Sequence, residues 1–151
     1  MRKVFHFDSS REPYIADAVV IWCFDNRFQT GFCKFLKRLG AISIDPVKIA
    51  GGAKALGSPD RESERAFALD QIQKSIRLHE TKRVILMVHS DCGAYGGLSA
   101  FNNNPQQEAE HHERELRRAA QYVVETLPEL EVAAYFVDFE GVWEVELASR
   151  R

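Results

Sequence analysis

Two short segments of this 151-residue chain concentrate the side chains able to do chemistry. They are Cys23-x-Asp25-x-Arg27, within CFDNR, and His89-x-x-Cys92, within HSDC. Two thiolates and one imidazole are borderline-soft donors that suit tetrahedral zinc. Three protein ligands would leave a fourth position for water, the pattern of a catalytic rather than a structural site. In extended backbone alternate side chains share one side. A strand continuing through Cys23, Asp25 and Arg27 would therefore project all three together. Cys23 would face the metal, Asp25 would sit beside the fourth ligand, and Arg27 would pair with Asp25 and keep it ionised and aimed.

Each segment closes an apolar run. Ala18–Phe24 and Arg83–His89 are short, continuous and rich in β-branched residues, as fully buried strands of parallel sheets are. Sites in open parallel sheets lie outside the C-terminal ends of the strands. If these two strands are neighbours, Cys23, His89 and Cys92 converge. Between them, Phe28, Phe32, Phe35, Leu36 and Leu39 mark one face of a helix that Gly40 stops. A second strand is expected within Ala41–Ile49, where Pro46 makes it an edge. AGGAKALGSPD reads as a glycine-rich loop, and Ser58-Pro59 as the start of a helix with a stripe of Ala66, Leu69, Ile72 and Ile76.

Beyond the His89 strand, Gln106–Leu127 reads as a long surface helix with Leu116, Ala120, Val123 and Leu127 turned inward. Val132–Phe139 is a further strand, and Val142–Leu147 an antiparallel edge strand after the turn at Gly141. The fold class is α/β: a mostly parallel central sheet of four to five strands, flanked by helices on both faces, with the last strand antiparallel. The length fits one domain, expected over residues 18–151 behind a short arm, residues 1–17. The net charge of −2 gives no basic field for nucleic acid. No apolar run is long enough to cross a bilayer, and the N-terminal residues lack the apolar core of a signal peptide. Three cysteines with no dense framework point to reduced thiols and a cytoplasmic protein.

The two motifs, in this order and strand context, resemble the signature of the β-class carbonic anhydrases. HSDCGAYGG, IAGGA, SERAFALDQI and VAAYFVDFEGVWEVE extend the resemblance from about Ala18 to Glu146. The resemblance implies an enzyme that hydrates carbon dioxide reversibly to bicarbonate by zinc-bound hydroxide. Its zinc would be held by Cys23, His89 and Cys92, with Asp25 and Arg27 as the catalytic pair. It also implies a homodimer or a dimer of dimers. Two alternatives stay open. One is a zinc-binding relative without that activity, its site closed by Asp25 on the metal. The other is a hydrolase of carbonyl sulfide or carbon disulfide. The chain departs from the family in reading Lys48-Ile49-Ala50-Gly51 where Arg-Asn-Ala-Gly is usual, which removes a fork-shaped donor. Its arm is also shorter than the family's.

Other conspicuous residues read as ordinary structure. Cys33 falls near the apolar face of the first helix and reads as core. His111 and His112, within EAEHHERELRR, read as a solvated helix face rather than a proton shuttle. AGGAKALG lacks the spacing of a phosphate cradle and reads as a tight loop beside the metal.

Overall fold

The computed structural model describes residues 1–147; the last four residues of the expected domain, 148–151, lie outside the described residues. Five strands form one sheet in the order β2-β1-β3-β4-β5. These are β1 (Ala18–Trp22), β2 (Ile44–Lys48), β3 (Arg83–His89), β4 (Glu131–Val137) and β5 (Val142–Glu144). The first four run parallel and β5 pairs antiparallel with β4. Every residue of β1 is buried, which accounts for its unbroken apolar sequence. β2 is an edge, and Pro46 sits there opposite Val20, where a missing N–H is tolerated.

Four α-helices pack on the sheet: α1 (Gln29–Arg38), α2 (Lys54–Gly57), α3 (Glu62–His79) and α4 (Pro105–Thr126). The odd positions of β1, Val19 and Ile21, join Val84, Leu86 and Val88 of β3 under α3 and α4. The even positions, Ala18, Val20 and Trp22, join Ile85 and Met87 on the opposite face. There Phe28, Phe32 and Leu36 cover them, and Trp22 stacks on Phe32 with ring centroids 5.0 Å apart. Helices therefore lie on both faces, and among the described residues α1 is the only α-helix on its face.

Several local expectations are corrected. Strand β1 stops at Trp22 and Phe24 is exposed. The glycine-rich loop contains the short helix α2, and α3 begins at Glu62 rather than at Ser58-Pro59. On α3 it is Ala68, not the exposed Ala66, that turns inward with Ile72. Cys33 is exposed, because α1 turns Phe32 and Leu36 to the sheet and carries Cys33, one residue on from Phe32, away from it. On α4, Leu116, Ala120 and Val123 are buried as expected, as is Leu127 just beyond its end, but so are Glu108, His112 and Glu115. The histidine face is thus not solvated at His112. It lies over Tyr95 and Phe101, which follow β3 in the chain.

Residues 1–17 carry no helix or strand up to β1. Tyr14 anchors them, its hydroxyl donating to Asp45 at 2.7 Å. Among the described residues no helix is long and apolar enough to cross a membrane.

Candidate metal centre

Strands β1 and β3 are neighbours at the point where the strand order reverses: the chain moves outward to β2 on one side and to β4 on the other. A crevice forms outside the C-terminal ends of strands at such a switch point. Cys23 follows the last residue of β1, His89 is the last residue of β3, and Cys92 lies three residues further on. All three are buried, and their ligand atoms lie within 4.8 Å of one another.

The loop after β2 completes this floor. The Ile49 N–H donates to the Trp22 carbonyl and the Ala53 N–H to the Met87 carbonyl, at 2.9 and 3.1 Å. Gly52, with φ +56°, lies so close to β1 and β3 that an added Cβ would stand 2.3 Å from the Met87 carbonyl oxygen. Only glycine accepts both the left-handed backbone and that approach. Its neighbour Gly51 points its N–H at the two cysteine sulfurs.

The donors are prepared for a cation. His89 Nδ1 faces the Ser90 carbonyl at 2.8 Å, which assigns the proton to Nδ1. Nε2 then carries the lone pair; this wholly buried atom has no oxygen or nitrogen partner and turns to the Cys23 sulfur. Cys23 is held well below the ordinary thiol range by a hydrogen bond from Cys92, aided by His89 and by the Asp25 and Gly51 N–H groups against the opposing effect of burial. The same contact, together with burial, pushes Cys92 up. The two sulfurs face one another and one thiol is favoured in its charged form, so a divalent ion would displace the proton between them. A buried imidazole nitrogen turned toward two sulfurs is a donor set that fits zinc.

Asp25 and Arg27 meet by a different route from strand alternation. Beyond Trp22 the chain leaves the strand, and Asn26–Phe28 form a 3-10 turn capped by Asp25, whose Oδ1 accepts the Arg27 N–H at 2.9 Å. The turn folds the Arg27 side chain back. Its Nε lies 3.1 Å from both Asp25 oxygens and its Nη2 lies 2.7 Å from Oδ2. These bonds hold the Asp25 carboxyl down at about 2 and push the guanidinium up. Asp25 Oδ2 stands 3.9 Å from His89 Nε2. The remaining Arg27 nitrogen, Nη1, reaches Asp91 Oδ2 at 2.9 Å.

Asp91 and Glu108 had no role in the sequence reading. Asp91 lies inside His-x-x-Cys, so its position was legible but its partner was not. Lys48 lies outside this group; its Nζ donates to Gln29 Oε1 at 2.7 Å, tying the end of β2 to α1. A cleft of about 240 Å³ opens beside the site between Arg27, Phe28, Gly31, Val137 and Phe139. Two larger grooves, of about 530 and 540 Å³, run along α4 away from the donors.

Comparison with known proteins agrees with this fold. A family model described as "Putative carbonic anhydrase" matches residues 16–149. An uncharacterized protein of Rickettsia bellii is 30% identical over 132 residues, covering 85% of this chain and 80% of that protein. A tetrameric β-carbonic anhydrase of Sordaria macrospora superposes with a TM-score of 0.61 at 14% identity, over 91% of this chain and 84% of the other. A carbonic anhydrase from Glaciozyma antarctica gives 0.58 at 19% identity, over 89% and 84%. A carbon disulfide hydrolase shares the fold at 0.50 and 13% identity, over 90% and 81%. The fold is that of the β-carbonic anhydrases, and with nearly the whole chain matched, the protein belongs to the carbonic anhydrase family which that model describes.

Proposed function

We propose that this protein is a zinc enzyme interconverting carbon dioxide and bicarbonate. One observation carries the reading: the Nε2 of buried His89 lies within 4.8 Å of the Cys23 and Cys92 sulfurs and 3.9 Å from an ionised, arginine-bound carboxylate. Cys23, His89 and Cys92 would hold the metal. Zinc, when bound, supplies the Lewis acidity that makes hydroxide available from water near neutral pH.

The rest falls to the chain. Asp25, acceptor-only and ionised, accepts a hydrogen bond from the attacking hydroxyl and so turns that oxygen's lone pair toward the substrate carbon. Arg27 holds Asp25 in that attitude and off the ligand position. Phe28, its ring centroid 4.6 Å from that of His89, gives the entrance an apolar wall suited to a small uncharged substrate. Water and carbon dioxide give bicarbonate and one proton, and the proton leaves to buffer through the open side at Asp25 and Arg27.

The wider reading is of one α/β domain over residues 18–151 with residues 1–17 as an arm. It works as a homodimer or a dimer of dimers in the cytoplasm, where its three free cysteines stay reduced. A likeness of fold to a carbon disulfide hydrolase supports a second reading, hydrolysis of carbonyl sulfide or carbon disulfide at the same centre. Zinc content and turnover of all three substrates decide between them. The proposal expects about one zinc per chain, lost in Cys92→Ser, and turnover of carbon dioxide above that of the sulfur analogues. Turnover confined to the sulfur analogues supports the second reading. One zinc per chain with no turnover points to a closed site with Asp25 on the metal.

A further inference from the structure

Asp25 and Arg27 lie two residues apart on one turn, and the Arg27 side chain is 45% exposed. Paired only with each other, they could swing together without losing a hydrogen bond. Mutual pairing fixes their relation, not their aim. The aim is set by a third residue. Arg27 Nη1 donates to Asp91 Oδ2 at 2.9 Å and Nη2 to the Asp91 carbonyl at 3.0 Å. The guanidinium is therefore gripped on two edges, by Asp25 from its own turn and by Asp91 from the loop after β3. Asp91 stands between His89 and Cys92 in the chain, so this second grip refers the pair to the frame of the donors themselves.

Asp91 is in turn fully committed. It holds a left-handed backbone, φ +52°. Its Oδ1 accepts the Leu98 N–H at 3.0 Å. Its own N–H donates to Glu108 Oε1 at 2.6 Å. All four of its polar atoms thus have partners, two on Arg27, one on the following loop and one on α4. Glu108 is only 2% exposed. A carboxyl is rarely placed in such a position without a specific partner, and here the partner is the Asp91 N–H.

We propose that Asp91 is a positioning residue for the chemistry assigned above: it holds Arg27 on the Asp25 carboxylate, and Glu108 holds Asp91. The inference rests on that functional reading, and its test separates the two. Zinc-loaded parent, Asp91→Asn, Glu108→Ala and Glu108→Gln are compared for zinc content, for kcat and KM in carbon dioxide hydration, and for solvent exchange of the Arg27 Nε–H by NMR. Asparagine keeps the size, the acceptor for Leu98 and the tolerance of left-handed backbone, so only the charged grip on Arg27 is removed.

Asp91→Asn is expected to keep its zinc, lower kcat about tenfold with KM little changed, and speed Arg27 Nε–H exchange by a similar factor, as a loss of orientation does. In an Arg27→Ala background the same substitution changes kcat less than about twofold, because residues acting through one partner are not additive. Glu108→Ala reproduces the loss, and Glu108→Gln, whose amide oxygen still accepts the Asp91 N–H, recovers most of the rate. Parental exchange and kcat in Asp91→Asn overturn the proposal. So does loss of zinc in Asp91→Asn, or a full kcat penalty that persists without Arg27. If Asp91→Asn does not fold, the Glu108 pair decides: equal rates in the alanine and glutamine variants overturn it. A zinc-bound parent without hydration contradicts the functional reading instead, and Arg27 exchange in Asp91→Asn still decides the grip.

Discussion

Oδ2 of Asp25 lies 3.9 Å from Nε2 of His89, with the Arg27 fork bonded to both Asp25 oxygens. A free carboxylate at this place is itself a good zinc ligand. Arg27→Ala is therefore expected to retain zinc but lose carbon dioxide hydration by about tenfold or more, as removal of a charge-positioning group does. The double variant Asp25→Ala/Arg27→Ala reopens the fourth position without restoring the rate, because nothing then orients the attacking oxygen. Parallel stopped-flow and elemental analysis of the two variants checks this. Parental rates in Arg27→Ala would make the pair merely structural.

A second prediction concerns acid stability. His112 is wholly buried, with Tyr95 and Phe101 from the loop after β3, Phe136 from β4, and His111 and Glu108 from its own helix around it. Burial pushes its pKa down to about 3, and the neighbouring His111 and His89 act in the same direction. The unfolded chain binds this proton below the ordinary histidine value of about 6.5 and the folded chain does not. Stability is thus lost as pH falls below about 6.5, by up to about 1.4 kcal/mol per pH unit until the folded group titrates. Glu108 acts oppositely, since burial raises its pKa and the folded state takes up its proton first. The difference between parent and His112→Phe isolates the histidine. Urea unfolding at pH 7 and pH 5 should show the parent losing about 2 kcal/mol more than the variant. Equal losses would show that His112 is not held neutral.

Much of this arrangement was legible in the sequence, for identifiable reasons. Ala18–Trp22 and Arg83–His89 stand out because strands buried on both faces need no polar alternation. Pro46 marks the edge because a central strand would miss its N–H. Cys23, His89 and Cys92 stand out because their donor types are scarce and their spacing follows strand ends. The buried polar row of α4 was hidden. Glu108 and Glu115 sit in a charged stretch that reads as solvated, and their partners, the Asp91 N–H and the Ser58 hydroxyl, come from 17 and 57 residues away. Helical periodicity carries no sign of such partners. The meeting of Asp25 with Arg27 was foreseen, but through strand alternation. It is made instead by an aspartate-capped turn that begins where β1 ends.

The loop beneath the donors gives a third prediction. Gly52→Ala puts a methyl group 2.3 Å from the Met87 carbonyl oxygen at a φ of +56°. Strain of this kind costs on the order of 1–3 kcal/mol before the clash is counted. Thermal unfolding should show a clearly lowered Tm, and zinc should be released at lower chelator concentration, since Gly51 and Cys23 adjoin the displaced backbone. An unchanged Tm would mean that the loop does not need this approach.

Assembly gives a fourth. Phe32 and Leu36 of α1 are covered by the chain's own sheet, so that helix does not itself demand a partner. Apolar side chains left exposed include Val4, Phe5, Phe7 and Ile15 on the arm and Phe24, Phe139 and Trp143 near the strand ends, besides Ile42, Phe67 and Leu78 elsewhere. Exposed apolar residues in such number favour association with a second copy. Light scattering at tens of micromolar should give the mass of a dimer or tetramer; a monomer mass would contradict this.

The central claim is that the Cys23, His89 and Cys92 centre hydrates carbon dioxide, and stopped-flow measurement on the zinc-loaded chain tests it most directly. The account predicts hydration well above the buffer rate in the parent and at the buffer rate in Cys92→Ser. Hydration at the buffer rate by a parent carrying one zinc per chain would contradict it.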